Sequence, residues 1–94
     1  MAERLGEAQV REELAKTPGW ELKEGQITRL YKLSGFKEAL TFVNRVGELA
    51  EAADHHPDID IRYSKVRLTL STHSAGGLTA KDFSLASRID EIRF

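Results

Sequence analysis

The chain contains no cysteine, which removes a disulfide framework, a thiol nucleophile and a thiolate metal site together. It has no apolar run near membrane-spanning length, and Met1 to Glu7 hold no apolar signal core. The sequence therefore reads as cytoplasmic, with no membrane partner. A basic block is missing too: 14 Lys and Arg are interspersed with 15 Asp and Glu, for a net charge of −1. Binding nucleic acid through phosphate neutralisation needs a concentrated positive field, so no nucleic-acid partner is expected. Gly76-Gly77 stands as an isolated pair rather than a phosphate loop, and no Gly-x-Ser-x-Gly elbow occurs. No repeat or linker divides the chain, so residues 1–94 are read as a single domain. A core of that size is modest, and oligomerisation is a natural way to enlarge it.

What is present is a clear alternation of periods. Glu3 to Lys16 is rich in Ala, Leu, Glu and Arg and stops at Thr17-Pro18-Gly19, which predicts a short helix. Trp20–Lys23 and Ile27–Leu33 flank Glu24-Gly25, the pattern of a hairpin, although both alternating sets of the second strand contain apolar members. Phe36, Ala39, Leu40, Val43, Val46, Gly47, Ala50 and Ala53 form one apolar stripe, with Ser34 as the expected N-cap. That helix should fade near Asp54, because Pro57 disfavours helical dihedrals at His56. Asp58–Tyr63 and Lys65–Thr72 alternate with period two around a tight turn, and Thr79 opens a last helix. The expectation is an α+β domain of order α-β-β-α-β-β-α, with three helices on one face of a four-stranded antiparallel sheet.

All three histidines fall in the second half, at His55, His56 and His73. Histidine is the side chain best suited to exchange protons near neutral pH. A histidine at a helix C-terminus also has a plain structural use, bonding the last carbonyls and complementing the dipole. That use accounts for one histidine, not for a second beside it and a third beyond the next hairpin. His73 keeps step with Arg67, Thr69 and Ser71, away from the core face, and a hairpin that folds back returns it towards Pro57. Asp82 completes Thr79-Ala80-Lys81-Asp82, the spacing of a capping box, so capping is its first expected role and orienting a histidine its second. Glu51 lies one turn before His55, within reach of an i, i+4 contact. Trp20 and Tyr63 have ordinary readings as core aromatics. A metal site is disfavoured, because adjacent extended residues point in opposite directions and no helical HExxH or alternating His-x-His spacing occurs.

Glu51, His55-His56-Pro57, Tyr63, His73 and Asp82, at these separations, resemble the signature of the pterin-4a-carbinolamine dehydratase family. Gly19-Trp20, Lys65-Val66, Leu70-Ser71-Thr72-His73 and Leu85-Ala86-Ser87 are similar to its pattern as well, so the resemblance covers nearly the whole chain. It implies dehydration of 4a-hydroxytetrahydropterin to quinonoid dihydropterin, in tetrahydropterin recycling, with no metal and no cofactor. His55, His56 and His73 would be catalytic, Glu51 and Asp82 orienting or polarising, and Trp20, Tyr63 and Thr72 in contact with the pterin. His55 and His73 are the expected acid/base pair, with the roles within it open. The resemblance also implies a homodimer or homotetramer. The alternatives are a dimerisation or transcriptional co-factor module, carried by the Phe36–Ala53 stripe, and a different pterin-related role.

Overall fold

The computed structural model describes residues 3–93. Helix α1 spans Glu7–Lys16, strands β1 and β2 span Glu21–Lys23 and Gln26–Lys32, and helix α2 spans Phe36–Ala53. Strands β3 (Asp58–Arg62) and β4 (Lys65–Leu70) follow, then a 3-10 turn over His73–Ala75 and helix α3 (Ala80–Asp90). The four strands among the described residues form one antiparallel sheet in the order β1-β2-β4-β3. The α-β-β-α-β-β-α order and the antiparallel sheet are those expected from the sequence.

Two-residue turns set the strand registers. Glu24 and Gly25 both have positive φ, the backbone that a tight hairpin matched to strand twist requires. The second hairpin turns at Tyr63-Ser64, with Arg62 opposite Lys65 and Tyr63 itself at positive φ. Pairing also settles the face of β2. Ile27, Arg29 and Tyr31 lie opposite Leu70, Leu68 and Val66, whose side chains are buried. The helix-side face is therefore apolar along β4 but carries Arg29 and Tyr31 on β2, while Leu30 is left on the open face.

The core is made by that face with Ala39, Phe42, Val46 and Ala50 of α2 and Phe83, Leu85, Ala86 and Ile89 of α3. Helix boundaries differ slightly from expectation. Helix α1 begins at Glu7 because the preceding segment runs extended, with the Leu5 amide donating to the Leu78 carbonyl at 2.8 Å. Gly35 rather than Ser34 caps α2. Edge strand β3 is exposed throughout, and its helix-side Ile59 and Ile61 remain 40% and 36% exposed. Phe36 and Leu40 on α2 are similarly uncovered. Among the described residues no helix is long and apolar enough to cross a membrane.

Candidate active site

Helix α2 ends in a geometry that aims the histidine pair. Asp54 adopts the left-handed conformation, its amide donates to the Glu51 carbonyl, and the His55 amide donates to the Ala50 carbonyl. These paired bonds close the helix in a Schellman motif, with Asp in the place glycine most often takes. The chain reverses there and drives His55 inward and His56 outward. His55 is buried, whereas His56 is exposed. The expected contact from Glu51 goes to His56 rather than His55, for its carboxylate meets His56 Nε2. The reversal at Asp54 shifts the partner by one residue.

His55 Nε2 lies 2.5 Å from Asp82 Oδ1, and Asp82 is fully buried. The other oxygen, Oδ2, accepts from the Thr79 amide at 2.9 Å and from the Thr72 hydroxyl at 2.8 Å. The Thr72 and Thr79 hydroxyls are themselves 2.8 Å apart. Both expected roles of Asp82 thus coexist, one on each oxygen: Oδ2 caps α3 and Oδ1 holds the histidine. A carboxylate without its proton only accepts hydrogen bonds, and a neutral imidazole facing one carries its ring hydrogen on Nε2 and its lone pair on Nδ1. Among the described residues no buried side-chain nitrogen or oxygen lacks a partner. Nδ1, which has none, therefore reaches the surface.

A concavity of about 440 Å³ is bordered by His55, His56 and His73 and by Thr72, Ser74 and Lys81. His73 arrives from the opposite side. Strand β4 ends at Leu70, Thr72 bridges to Gly77, and His73 starts the 3-10 turn instead of ending the strand. The tight loop leaves the His73 side chain exposed. The histidines are brought together as the folded-back hairpin predicted. Among the described residues no three His, Asp or Glu side chains converge as metal ligands.

Trp20 and Tyr63 do not border this concavity. Tyr63 stands 75% exposed at the far turn of the β3–β4 hairpin, roughly 20 Å of strand away from Pro57. Trp20 is buried, and its indole donates to both Asp90 oxygens at 3.1 Å. The same carboxylate accepts from Arg29 Nη1 at 3.1 Å and from the Tyr31 hydroxyl. Burial, and then the hydrogen bond to Asp90, hold the Tyr31 phenol well above its ordinary range. Arg29 also packs over the Tyr31 ring and donates to the Pro18 carbonyl. Gly19 at φ +96° makes room for it, since a Cβ there would lie 2.6 Å from the guanidinium. Thr72 is in the wall of the concavity, but its hydroxyl is committed to Asp82 and Thr79. Sequence reasoning missed the bond from Thr72 to the capping carboxylate, Lys81 at the rim, and the whole Asp90 cluster. The capping-box spacing pointed to Thr79 and Asp82; nothing in the sequence pointed to Arg29, Tyr31 and Asp90 meeting.

Comparison with known proteins agrees with this geometry. Residues 3–92 match the family described as Pterin 4 alpha carbinolamine dehydratase. A protein of Chloroflexus aurantiacus bearing the name pterin-4-alpha-carbinolamine dehydratase is 58% identical over 89 residues, which is 95% of this chain and 96% of that one. A like-named protein of Roseiflexus sp. strain RS-1 is 53% identical over 92 residues, 98% of this chain and 99% of its own. The crystal structure of a transcriptional coactivator/pterin dehydratase from Brucella melitensis superposes with a TM-score of 0.90 at 34% identity, covering 94% of this chain and 96% of that one. A pterin dehydratase-like protein, a RuBisCO assembly factor in the alpha-carboxysome, shares the fold at a TM-score of 0.62 and 19% identity, over 76% of this chain and 82% of its own. A chain matched over nearly its whole length, with its histidines gathered at one concavity, belongs to the pterin-4a-carbinolamine dehydratase family, whose named activity is that of a hydro-lyase.

Proposed function

We propose that this protein dehydrates 4a-hydroxytetrahydropterins by histidine acid/base catalysis. The observation that carries the reading is His55, held through Nε2 by buried Asp82 and bordering a concavity shared with His56 and His73. In a carbinolamine one carbon bears both a hydroxyl and a ring nitrogen. The nitrogen lone pair forms a C=N bond as the C–O bond breaks, an acid supplies the proton that turns the departing hydroxide into water, and a base removes the N–H proton. His55 Nδ1 is the base, with Asp82 stabilising the imidazolium that forms. Protonated His73, across the concavity, is the acid. His56, oriented by Glu51, binds the ring and serves as an auxiliary proton carrier. The product is a quinonoid dihydropterin, and the place of the reaction is recycling of the tetrahydropterin after an oxygenation step in the cytoplasm. Stopped-flow measurement of 4a-hydroxytetrahydropterin loss should show rate enhancement that survives dialysis against EDTA. Loss equal to the uncatalysed rate would sink the reading, and activity that zinc alone restores would replace acid/base catalysis with metal chemistry.

Self-association belongs to the same reading. Strand β3, Asp58-Ile59-Asp60-Ile61-Arg62, is self-complementary: antiparallel pairing with a second copy about Asp60 sets Asp58 opposite Arg62 and Ile59 opposite Ile61. Such pairing covers an open edge and the half-exposed isoleucines. The name of the Brucella melitensis structure joins coactivator to dehydratase, and the same uncovered strip, with Phe36 and Leu40, is where a protein partner would compete. Light scattering should report a homodimer or homotetramer. A stable monomer at micromolar concentration would favour the partner.

A further inference from the structure

A second hollow adjoins the histidine concavity, and Lys81 borders both. This hollow, about 260 Å³, has a mainly apolar lining that includes Ala53, Ala80 and Leu85, and it reaches Arg88. Lys81 and Arg88 are seven residues apart on α3, so they lie nearly in line on one face, about 10 Å apart. Both are exposed, and neither side chain is ion-paired among the described residues. The helix gives Lys81 no electrostatic reason to be there: a cation in the first turn faces the positive end of the helix dipole, where neighbouring Asp82 fits instead. An apolar strip with a cation at each end is complementary to an extension that is flat and apolar along its length and negatively charged.

We propose that this strip is a subsite for the pterin's side chain and selects tails that are aromatic and anionic, of the aminobenzoyl-glutamate kind, over short neutral hydroxylated ones. The inference rests on the dehydratase reading, because the ring must lie among the histidines for its tail to cross Lys81. A neutral tail leaves both cations in water and gains nothing from them. An anionic aryl tail covers the apolar lining and meets Lys81 and Arg88, each exposed pair contributing a few-fold in affinity, about tenfold together.

Calorimetric titration of the full chain with 7,8-dihydrobiopterin and with 7,8-dihydrofolate tests the idea. Dihydrofolate should bind about tenfold more tightly, and the ratio of the two affinities should shrink several-fold in Lys81→Ala, in Arg88→Glu and at high salt. If Arg88→Glu does not fold by its thermal melt, Arg88→Gln carries the same measurement. Both ligands binding with a ratio near one, or a ratio that survives both substitutions, overturns the subsite and leaves the dehydratase reading standing. Neither pterin binding, with no dehydration in the stopped-flow assay, overturns that reading and the subsite with it.

Discussion

Helix α3 carries two carboxylates on which other elements converge, Asp82 in its first turn and Asp90 at its end. Asp82 is sealed from water and bonds a histidine from the end of α2 and a threonine from beyond β4. Asp90 is about a quarter exposed and bonds an indole, a guanidinium and a phenol from the first hairpin. Each satisfies its acceptors, yet the partners differ in kind. Trp20, Arg29 and Tyr31 keep their protons throughout the neutral range, so the Asp90 cluster is a fixed clamp between sheet and helix. The partner of Asp82 is a histidine, the side-chain type suited to proton exchange there, and it borders the concavity. On the proposed mechanism, the difference teaches that a carboxylate serves chemistry or structure according to what sits opposite it.

The sharpest way to break the comparison is to remove one partner from each cluster. His55→Ala should lower kcat by ~10²–10⁴-fold, the usual contribution of a general acid or base, with a normal far-UV spectrum. Asp82→Asn should approach the same deficit while α3 stays capped. Its amide oxygen can still accept from the Thr79 amide, but its NH₂ group would force the hydrogen of His55 onto Nδ1. Near-normal turnover in both variants would reduce the Asp82 cluster to a second clamp. Asp90→Ala should do the reverse, costing about 3 kcal/mol in denaturant unfolding, below the full cost of a sealed pair because this one is partly solvated. Turnover per folded molecule should be unchanged, and a kcat loss at full folding would erase the distinction.

Two milder changes sharpen it. The raised Tyr31 phenol means that its contribution to stability is whole below about pH 10, where folded and unfolded chains both hold the proton. Above that, the unfolded chain ionises first, so stability should fall as pH rises. Tyr31→Phe should cost about 2 kcal/mol at neutral pH and flatten the alkaline decline in a series of urea melts. An equally steep decline in the variant would assign it to other groups. Trp20→Phe should cost about 1.5 kcal/mol, the low end for a hydrogen bond to a charged group. Since the indole is turned to Asp90, the KM for the pterin should not move. A raised KM at intact stability would return Trp20 to the substrate contacts that the resemblance implies.

Much of this was legible in the chain itself. The period-3.6 stripe of α2, the period-2 strands and the Glu24-Gly25 turn are local signals, and they give element order and sheet type without tertiary information. The histidine spacing singled out three side chains that the fold brings to one concavity. Reading failed where a local pattern admits two answers. The alternation of β2 could not choose its buried face, because Leu30 and Tyr31 are both apolar enough for either side; pairing with Val66, Leu68 and Leu70 chose it. The step-two count from Arg67 to His73 assumed a strand running to Thr72, but β4 stops at Leu70 and the Thr72–Gly77 bridge turns the backbone early.

By itself, then, the sequence determined the elements, the antiparallel sheet and the residues that bear ionisable chemistry, because these depend on neighbours a few positions apart. Only the tertiary structure decided who meets whom. His55 and Asp82 are brought within 2.5 Å across 27 positions, and Trp20 reaches Asp90 across 70. The choice of partner for a carboxylate is made by the packing of α2 and the sheet against α3, where an unpaired buried charge costs more than almost any local preference can repay.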